Sequence, residues 1–367
     1  MRVISRLVNR LTGHIDGPLF IGILVLAGIG LVVLFSASGG TEYDRLYAQL
    51  RNLGLALVAL WVVANVPPQH LMRLALPMYV VGLVLLIAVA IAGDVRLGAR
   101  RWLNLGVTSI QPSELMKLAL PLTLAWYFHR HQTRLKIRDF AIAALLLVVP
   151  VGLIVKQPDL GTALLISSSG FFVLFLAGLS WKLLGGLVVL VAGSLPIAWH
   201  FMHAYQRQRV LTLLDPTSDP LGAGYHIIQS TIAIGSGGKV GKGWLNGTQG
   251  HLDFLPERTT DFIFAVFSEE FGLVGNIILL LLYLIIIARS LMIAANAGTL
   301  FGRLLAGAVT LTFFTYAFVN MGMVSGILPV VGVPLPLVSY GGTALVTMMV
   351  GFGILMSVST HRKLVAT

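Results

Sequence analysis

The stretch LPERTTDFIFAVFSEEFG, residues 255–272, changes from a polar, turn-like sequence into an apolar run. Asp261 lies where the two meet, and Glu269 and Glu270 follow inside the apolar run. An ionisable residue inside a membrane span is costly unless it is paired or hydrated, so each acid is a candidate functional group. A purely structural role is also open for each of them. Asp261 could cap the following helix, and the two glutamates could be partners of a base or of the backbone.

The composition of the whole chain is that of a membrane protein. The 367 residues are 57% hydrophobic and 11% charged, with a mean hydropathy of +0.90. Soluble domains contain about 25% charged residues, so this chain cannot cover itself with a water-compatible surface. The absence of cysteine excludes disulfides, iron–sulfur clusters and thiolate zinc sites. The net charge of +11 indicates orientation signals and contact with anionic membrane lipids, and not nucleic acid.

Ten segments approach the length of about 20 apolar residues that a helix needs to cross the hydrocarbon core. They show no alternation of apolar and polar residues, so they are predicted to be helices and not the strands of a barrel. The predicted fold class is therefore an all-α polytopic membrane protein with ten transmembrane helices. The helices are expected at about residues 19–37, 47–65, 72–93, 113–128, 138–155, 159–178, 181–200, 261–288, 300–327 and 340–360.

An even number of spans places both termini on one side of the membrane. The basic C-terminal tail and the basic loop Phe128–Asp139 favour the cytoplasm for that side. The longest loop, residues 201–260, then lies on the extracytoplasmic side between helices 7 and 8. Its apolar and aromatic residues indicate that it is folded, with short helices that cap the bundle. We predict a single membrane domain over residues 1–367.

Three polar motifs interrupt the apolar sequence. In QPSELMK, Glu114 and Lys117 are three residues apart, so they share one face of helix 4 and are expected to pair. In QPDLGT, Asp159 is expected to cap the next helix. The segment GILPVVGVPLPLVSYGG, residues 326–342, has three prolines and cannot form a continuous helix. Because such backbone is tolerated at membrane depth only against protein or water, this segment is expected to line a groove.

A glycine-rich segment, GSGGKVGKGW at residues 235–244, matches neither the Walker spacing nor the G-x-G-x-x-G pattern. Its backbone amides, Lys239 and Lys242 could hold phosphate, or the segment could be a mobile turn. The residues alone thus favour an outward-facing polar groove with at least one carboxylate and several cations. Arginine binds phosphate oxygens bidentately, and a nearby carboxylate suits a general base or a metal ligand. That combination fits a lipid-linked transferase or a lipid transporter.

Several long motifs in a fixed order resemble the SEDS family of bacterial cell-wall proteins, and its rod-shape branch more than its division branch. They are RRWLNLG, QPSELMK, QPDLGT, YQRQRV, LLDPTSDPLGAGYHIIQS, LPERTTDFIFAVFSEEFGLVG and GILPVVGVPLPLVSYGG. The resemblance implies a peptidoglycan glycosyltransferase that polymerises lipid II. It also implies inverting attack by the 4-OH of N-acetylglucosamine on C1 of a lipid diphosphate-linked N-acetylmuramic acid. The essential acid of the family motif LPE-x-x-TDF falls on Asp261, which is the expected catalytic residue.

Two further groups of residues are expected around that acid. Diphosphate and lipid II binding is predicted for Arg207, Arg209, Lys117, Lys239, Arg101 and Ser339. Structural support of the groove is predicted for Glu114, Gln111, Asp159, Lys156, Glu257 and Arg258. A divalent cation, Mg²⁺ or Mn²⁺, could share the charge on the diphosphate, and whether Asp261 is the base or a ligand of that ion stays open.

The resemblance also implies partners and a location. The expected ligands are lipid II, the undecaprenyl diphosphate-linked glycan and membrane lipids. The expected protein partners are a class B penicillin-binding protein, which crosslinks the strands, and other proteins of the elongation machinery. The protein is expected in the bacterial inner membrane with its site facing outward. Two alternatives are a lipid II flippase, which would need a polar route across the membrane, and a non-catalytic scaffold.

Overall fold

The computed structural model describes residues 13–40, 43–96, 99–104, 109–133, 135–157, 159–202, 204–219, 222–251, 255 and 257–361. Both ends of the chain, with basic residues used to predict sidedness, lie outside these ranges, as does Pro158. In chain order the elements are α1 (Gly17–Ala37), α2 (Tyr43–Ala64), α3 (Pro68–Ala92), β1 (Asp94–Arg96), β2 (Ala99–Asn104), β3 (Ser109–Ile110), α4 (Pro112–Arg130), α5 (Ile137–Lys156), α6 (Leu160–Leu176), α7 (Trp181–Phe201), α8 (Ala204–Leu214), α9 (Ala223–Ser236), α10 (Thr248–His251), α11 (Ile263–Ala295), α12 (Leu300–Val324) and α13 (Gly342–Thr360).

Each of the ten predicted spans coincides with one of these helices, from α1 to α7 and from α11 to α13. Seven helices in the described part of the chain are long and apolar enough to cross a membrane: α1, α2, α3, α5, α11, α12 and α13. α4 falls outside this group because Glu114, Lys117 and the basic residues at its end lower its hydropathy. α6 and α7 count as shorter apolar helices. α7 is exposed along nearly its whole described length, so its apolar side chains face the surroundings of the bundle.

The described chain is mostly helical, as predicted, but a small sheet that was not predicted lies between α3 and α4. β1, β2 and β3 form a small antiparallel sheet in that order, in which Val95 pairs with Arg100 and Leu103 with Ile110. The motif RRWLNLG begins in β2. Strands of two to six residues are too short to show a pattern against the long apolar segments on either side, so nothing in the sequence indicates them.

The long loop between α7 and α11 contains α8, α9 and α10, which agrees with the expectation of short helices in it. Its glycine-rich segment does not form a phosphate-binding loop. Gly272 interrupts α11 with φ +63°, a conformation that favours glycine. The Lys242 and Gly243 amides donate to the Glu269 and Glu270 carbonyls at 3.0 Å each. In return, the amides of residues 273 and 274 donate to the carbonyls of residues 238 and 239 at 2.9 and 3.0 Å.

Glu269 joins the same loop to α11 through its side chain, which is completely buried. Its Oε1 is 2.6 Å from Lys242 Nζ and accepts hydrogen bonds from the backbone amides of Thr248 and Gln249 at 2.9 and 3.1 Å. The neighbouring Glu270 accepts a hydrogen bond from Ser36 of α1. The expectation that these glutamates are partners of a base or of the backbone is confirmed for Glu269, which has both.

The segment between α12 and α13, residues 325–341, is not helical, as its prolines predicted. It nevertheless lies inside the bundle, because Leu335, Leu337 and Val338 belong to the main hydrophobic core. Tyr283 of α11 donates to the Pro336 carbonyl at 2.6 Å. α1 approaches so closely at Gly30 that a Cβ there would lie 2.5 Å from the Leu337 carbonyl oxygen.

The Glu269–Lys242 pair provides a test of how the loop is attached to the bundle. Glu269→Gln removes the negative charge that pairs with Lys242 and weakens the acceptor for two backbone amides. Because breaking a buried pair leaves polar groups uncompensated, we expect a loss of about 3 kcal/mol in stability. The loss would be measured as a lower Tm of the purified protein in detergent.

Lys239→Gln is the matched control, since Lys239 is an exposed lysine of the same loop. It removes one lysine charge from the same loop, as loss of Lys242 would. At this exposed position the charge contributes little to stability. Equal Tm values for Glu269→Gln, Lys239→Gln and the unmodified chain would contradict the assignment of Glu269 as the anchor.

Candidate active site

Asp261 lies in a tight turn that leads into α11. Glu257 has φ +51°, and its carbonyl accepts hydrogen bonds from the Thr260 and Phe262 amides at 3.1 and 3.2 Å. α11 begins at Ile263 with Phe262 in the capping position and without a side-chain cap. Asp261 is therefore not the helix cap, which was the structural alternative considered from the sequence. Its carboxylate remains available for another role.

The carboxylate of Asp261 is in an environment that disfavours its charge. The residue is half-buried, and among the described residues its side chain makes no hydrogen bond or ion pair. Burial, followed by the negative charge of Glu257, raises the pKa of Asp261 to about 6. A carboxyl group with a pKa in that range can accept a proton near neutral pH more readily than an exposed aspartate can.

The segment 325–341 forms the wall opposite this turn. The Ser339 hydroxyl donates to the Thr260 carbonyl at 2.6 Å and accepts from the Leu335 amide at 2.8 Å. The Tyr340 amide donates to the Thr259 carbonyl at 2.8 Å. Ser339 was predicted to bind substrate, whereas its hydroxyl is occupied in holding the two walls together.

α2 closes a third side of the site. Gln49 donates to the Ser339 carbonyl at 3.2 Å and accepts from the Gly341 amide at 3.3 Å. Arg45, one turn earlier on the same helix, donates to the Thr259 hydroxyl at 2.9 Å. Because Arg45 is exposed and contacts a residue two positions from Asp261, it brings a guanidinium group to the rim of the site. Sequence reasoning did not single it out.

A buried ionic cluster lies near the segment 325–341. Lys117 Nζ is 2.6 Å from Glu114 Oε1, and the Thr347 hydroxyl donates to Glu114 Oε2 at 3.0 Å. The ammonium group also lies 5.3 Å from the centre of the Tyr316 ring. The predicted pairing of Glu114 with Lys117 is confirmed. A cavity lined by Tyr316 borders the segment at Pro334–Tyr340, which connects the cluster with the wall of the site.

The polar motif QPSELMK lines a groove beside this cluster and contacts the motif QPDLGT through Asp159. The groove has a volume of about 480 Å³, and Gln111, Glu114 and Thr347 are among its lining residues. Asp159 caps α6 through the Thr162 amide at 3.1 Å, as predicted. Its other oxygen accepts from Gln111 at 3.4 Å and lies 3.6 Å from the Arg101 guanidinium group.

Of the remaining predicted residues, some lie in the Asp261 turn and others lie elsewhere in the structure. Glu257 and Arg258 belong to the Asp261 turn, and Arg258 donates to the Ala37 carbonyl of α1 at 2.6 Å. Arg207 on α8 donates to the His200 carbonyl at 2.6 Å. Lys156 ends α5 and is exposed. In the described ranges no hydrogen bond or ion pair joins Asp261 to Arg207, Arg209, Lys239 or Lys156. These cations could therefore act only on a part of the substrate that lies away from Asp261.

Two further residues were missed. His226 of α9 stacks on Phe262, the residue after Asp261, with ring centres 5.4 Å apart, and burial lowers the pKa of its imidazole. Asn320 of α12 donates to the Asp261 carbonyl at 2.8 Å. A usable signal existed for Asn320, because an amide inside an otherwise apolar span needs a partner.

Few of the described side chains at this site could act as ligands of a metal ion. Among the residues that the structure describes, no three His, Asp or Glu side chains converge to form a cage. A hard cation such as Mg²⁺ often uses only one or two carboxylates together with substrate phosphates and water. At this site Asp261 is the carboxylate that could contribute, so such an ion would depend on the substrate for most of its ligands.

Comparison with known proteins agrees with this architecture. The FtsW/RodA/SpoVE family, described as cell cycle protein, matches residues 18–364. The chain is 54% identical over 354 residues to the peptidoglycan glycosyltransferase MrdB of Escherichia coli K12, covering 96% of this chain and 95% of the relative. It is 35% identical to the probable peptidoglycan glycosyltransferase FtsW of Trichlorobacter lovleyi, with coverage of 95% and 94%.

Two solved structures share the fold. One comes from work on the structural coordination of polymerization and crosslinking by a peptidoglycan synthase complex. It is 36% identical, has a TM-score of 0.82, and covers 95% of this chain and 99% of its own. The rod shape determining protein RodA of Thermus thermophilus is 31% identical with a TM-score of 0.71, covering 94% and 96%. The chain therefore belongs to the FtsW/RodA/SpoVE family of multi-pass membrane proteins.

Proposed function

We propose that this protein is a peptidoglycan glycosyltransferase that polymerises lipid II into glycan strands during cell elongation. The observation that carries the proposal is Asp261, a half-buried carboxyl group held in a turn between segment 325–341 and α2. The 54% identity to MrdB, which bears that activity in its name, supports the same chemistry here.

In the proposed reaction, the 4-OH of an N-acetylglucosamine attacks C1 of the donor N-acetylmuramic acid. The new C–O bond forms as the bond from C1 to the diphosphate breaks, with inversion at C1. Asp261 takes the hydroxyl proton and later releases it to water, and the lipid diphosphate leaves with the bonding electrons. A positioned base contributes roughly 10²–10⁴-fold to such a step.

The departing diphosphate needs positive charge nearby. Candidates to supply it are Arg45 at the rim of the turn and Lys117 in the buried cluster beside Tyr316. Arg101 beside Asp159 is a third candidate. Arg207, Arg209 and Lys239 remain proposals for more distant parts of the lipid-linked substrates. A divalent cation would supply charge to the diphosphate, and Asp261 would then be its protein ligand.

We also propose a single membrane domain of ten spans with both termini in the cytoplasm and residues 201–260 outside, so that Asp261 faces the periplasm. The ten helices that coincide with the predicted spans support this arrangement. Prenyl chains would enter between helices, and the exposure of α7 supports a lateral opening there. A class B penicillin-binding protein is the proposed partner, because a solved relative is part of a complex for polymerization and crosslinking.

Asp261→Asn should abolish polymerisation, because the amide has nearly the same shape but cannot accept the proton. The full-length chain in detergent would be incubated with lipid II and its crosslinking partner, and glycan strands would be separated on a gel. Asp44→Asn, which removes an exposed carboxylate from the first turn of α2, should remain active. Full activity of Asp261→Asn would remove the catalytic assignment.

The pH dependence should report the same group. Burial raises the pKa of Asp261 to about 6, so the proton-accepting form is lost at a higher pH than for an exposed aspartate. The rate should fall about tenfold per pH unit below that value. Initial rates would be measured from pH 4 to 8 with reversal to neutral pH as a control. An acid limb near pH 4 would contradict the raised pKa of Asp261. Repeating the series with EDTA, which removes divalent cations, distinguishes Asp261 as a general base from Asp261 as a metal ligand.

The cluster around Lys117 allows a separate test of support for the groove. Glu114→Ala leaves the Lys117 ammonium group, whose side chain is 8% exposed, without its carboxylate. Removing one partner of a buried pair costs about 3–5 kcal/mol, so we expect less folded protein and lower activity. Thr347→Val tests the hydrogen bond alone and should have a smaller effect. Near-normal amounts and activity of Glu114→Ala would show that the pair is dispensable.

A further inference from the structure

Asn320 is a completely buried amide in the last two turns of α12. Its neighbours on the helix, Val319 and Met323, are buried apolar residues, and Tyr316 lies one turn earlier on the same side. A polar side chain in such surroundings is costly unless its hydrogen bonds are made. The bonds that Asn320 makes are therefore informative about why the chain carries an amide there.

Both hydrogens of the Asn320 Nδ2 group have acceptors on the walls of the proposed active site. One goes to the Asp261 carbonyl at 2.8 Å and the other to the Val333 carbonyl at 2.7 Å. These acceptors belong to the turn before α11 and to the segment 325–341. A single planar group thus fixes the distance between two pieces of irregular backbone that no helix or sheet holds in register.

The second acceptor matters because of the residue beside it. Gly332 precedes Val333 and has φ +72°. A Cβ at Gly332 would lie 3.3 Å from Asp261 Oδ2, so the carboxylate packs directly against this backbone. The side chain of Asp261 makes no hydrogen bond within the described residues, so its direction is set by the backbone on either side of it.

The unused atom of Asn320 supports the same view. Its Oδ1 is buried and has no hydrogen-bond partner among the described residues. The neighbouring backbone therefore uses the two N–H donors of Asn320, whereas its carbonyl oxygen is left without a partner in the described part of the chain. A hydroxyl residue could donate only one hydrogen bond and would leave one of the two carbonyls unpaired.

We propose that Asn320 is a positioning residue for the transferase reaction, holding Asp261 against segment 325–341 so that its carboxylate meets the acceptor hydroxyl. This inference rests on the proposed function of Asp261. Reacting groups must be held in place closely, and a displacement of about 1 Å can lower a rate about 10²-fold. Asn320 itself does not touch the substrate in this role.

The test uses Asn320→Leu in the full-length chain, with lipid II as the substrate. We expect kcat to fall about 10²-fold while KM changes little, because the lipid-binding surfaces are unchanged. The acid limb of the rate should also move to lower pH, since loosening the turn admits water to Asp261. The charged and titratable groups around the turn are Glu257 and Arg258 on the turn itself, His226 on α9 and Arg45 on α2, and the substitution alters none of them.

Thr310→Val is the matched control on the same helix. Thr310 is buried, and its hydroxyl donates only within α12, to the Ala306 carbonyl at 2.8 Å. This variant should keep the kcat and the acid limb of the unmodified chain. Gly332→Ala approaches the same contact from the other side. It leaves Asn320 in place but crowds Asp261 Oδ2, and should also lower kcat more than it raises KM.

The outcomes separate the two claims. Asn320→Leu with unchanged kcat, or with a lower kcat but an unmoved acid limb, would overturn the positioning role while Asp261→Asn is inactive. Activity of Asp261→Asn would overturn the proposed function instead. If Asn320→Leu gives no folded protein, Asn320→Asp keeps the shape and at most one donor, and an unchanged kcat in that variant would overturn the inference.

Discussion

Backbone polar groups that lie inside an apolar bundle must find partners within the protein, because no water is there to bind them. The segment 325–341 is where this constraint is most demanding, since its prolines prevent a helix. Its carbonyls accept from three side chains, Tyr283, Asn320 and Gln49. Each of these partners comes from a different helix, so the segment ties α2, α11 and α12 to one centre.

That centre explains how the candidate site can combine residues far apart in the chain. The Asp261 turn is attached to one side of the segment through Ser339. The ionic cluster of Lys117 lies next to Tyr316, and a cavity lined by Tyr316 borders the same segment. The proposed reaction needs a base beside the attacking hydroxyl and positive charge beside the leaving diphosphate, and this segment borders both the Asp261 turn and that cavity.

Much of the architecture was predictable because the signals were long or local. Apolar length located ten helices, and spacing predicted the Glu114–Lys117 pair and the Asp159 cap. The small sheet was missed because its strands are too short to show a period. The positions of Arg207 and Arg209 were not predictable, since their place depends on how a long loop folds back. The clamp at Asn320 depends on long-range contacts that one sequence does not reveal.

The interruption of α11 at Gly272 also bears on how the protein is made. The glycine-rich segment 237–243 is synthesised before α11, and its amides and carbonyls complete the hydrogen bonds that the broken helix lacks. When α11 leaves the ribosome, its partner has therefore already been translated. The final hydrogen bonding of this helix and that of the preceding loop depend on each other, so neither piece is complete alone.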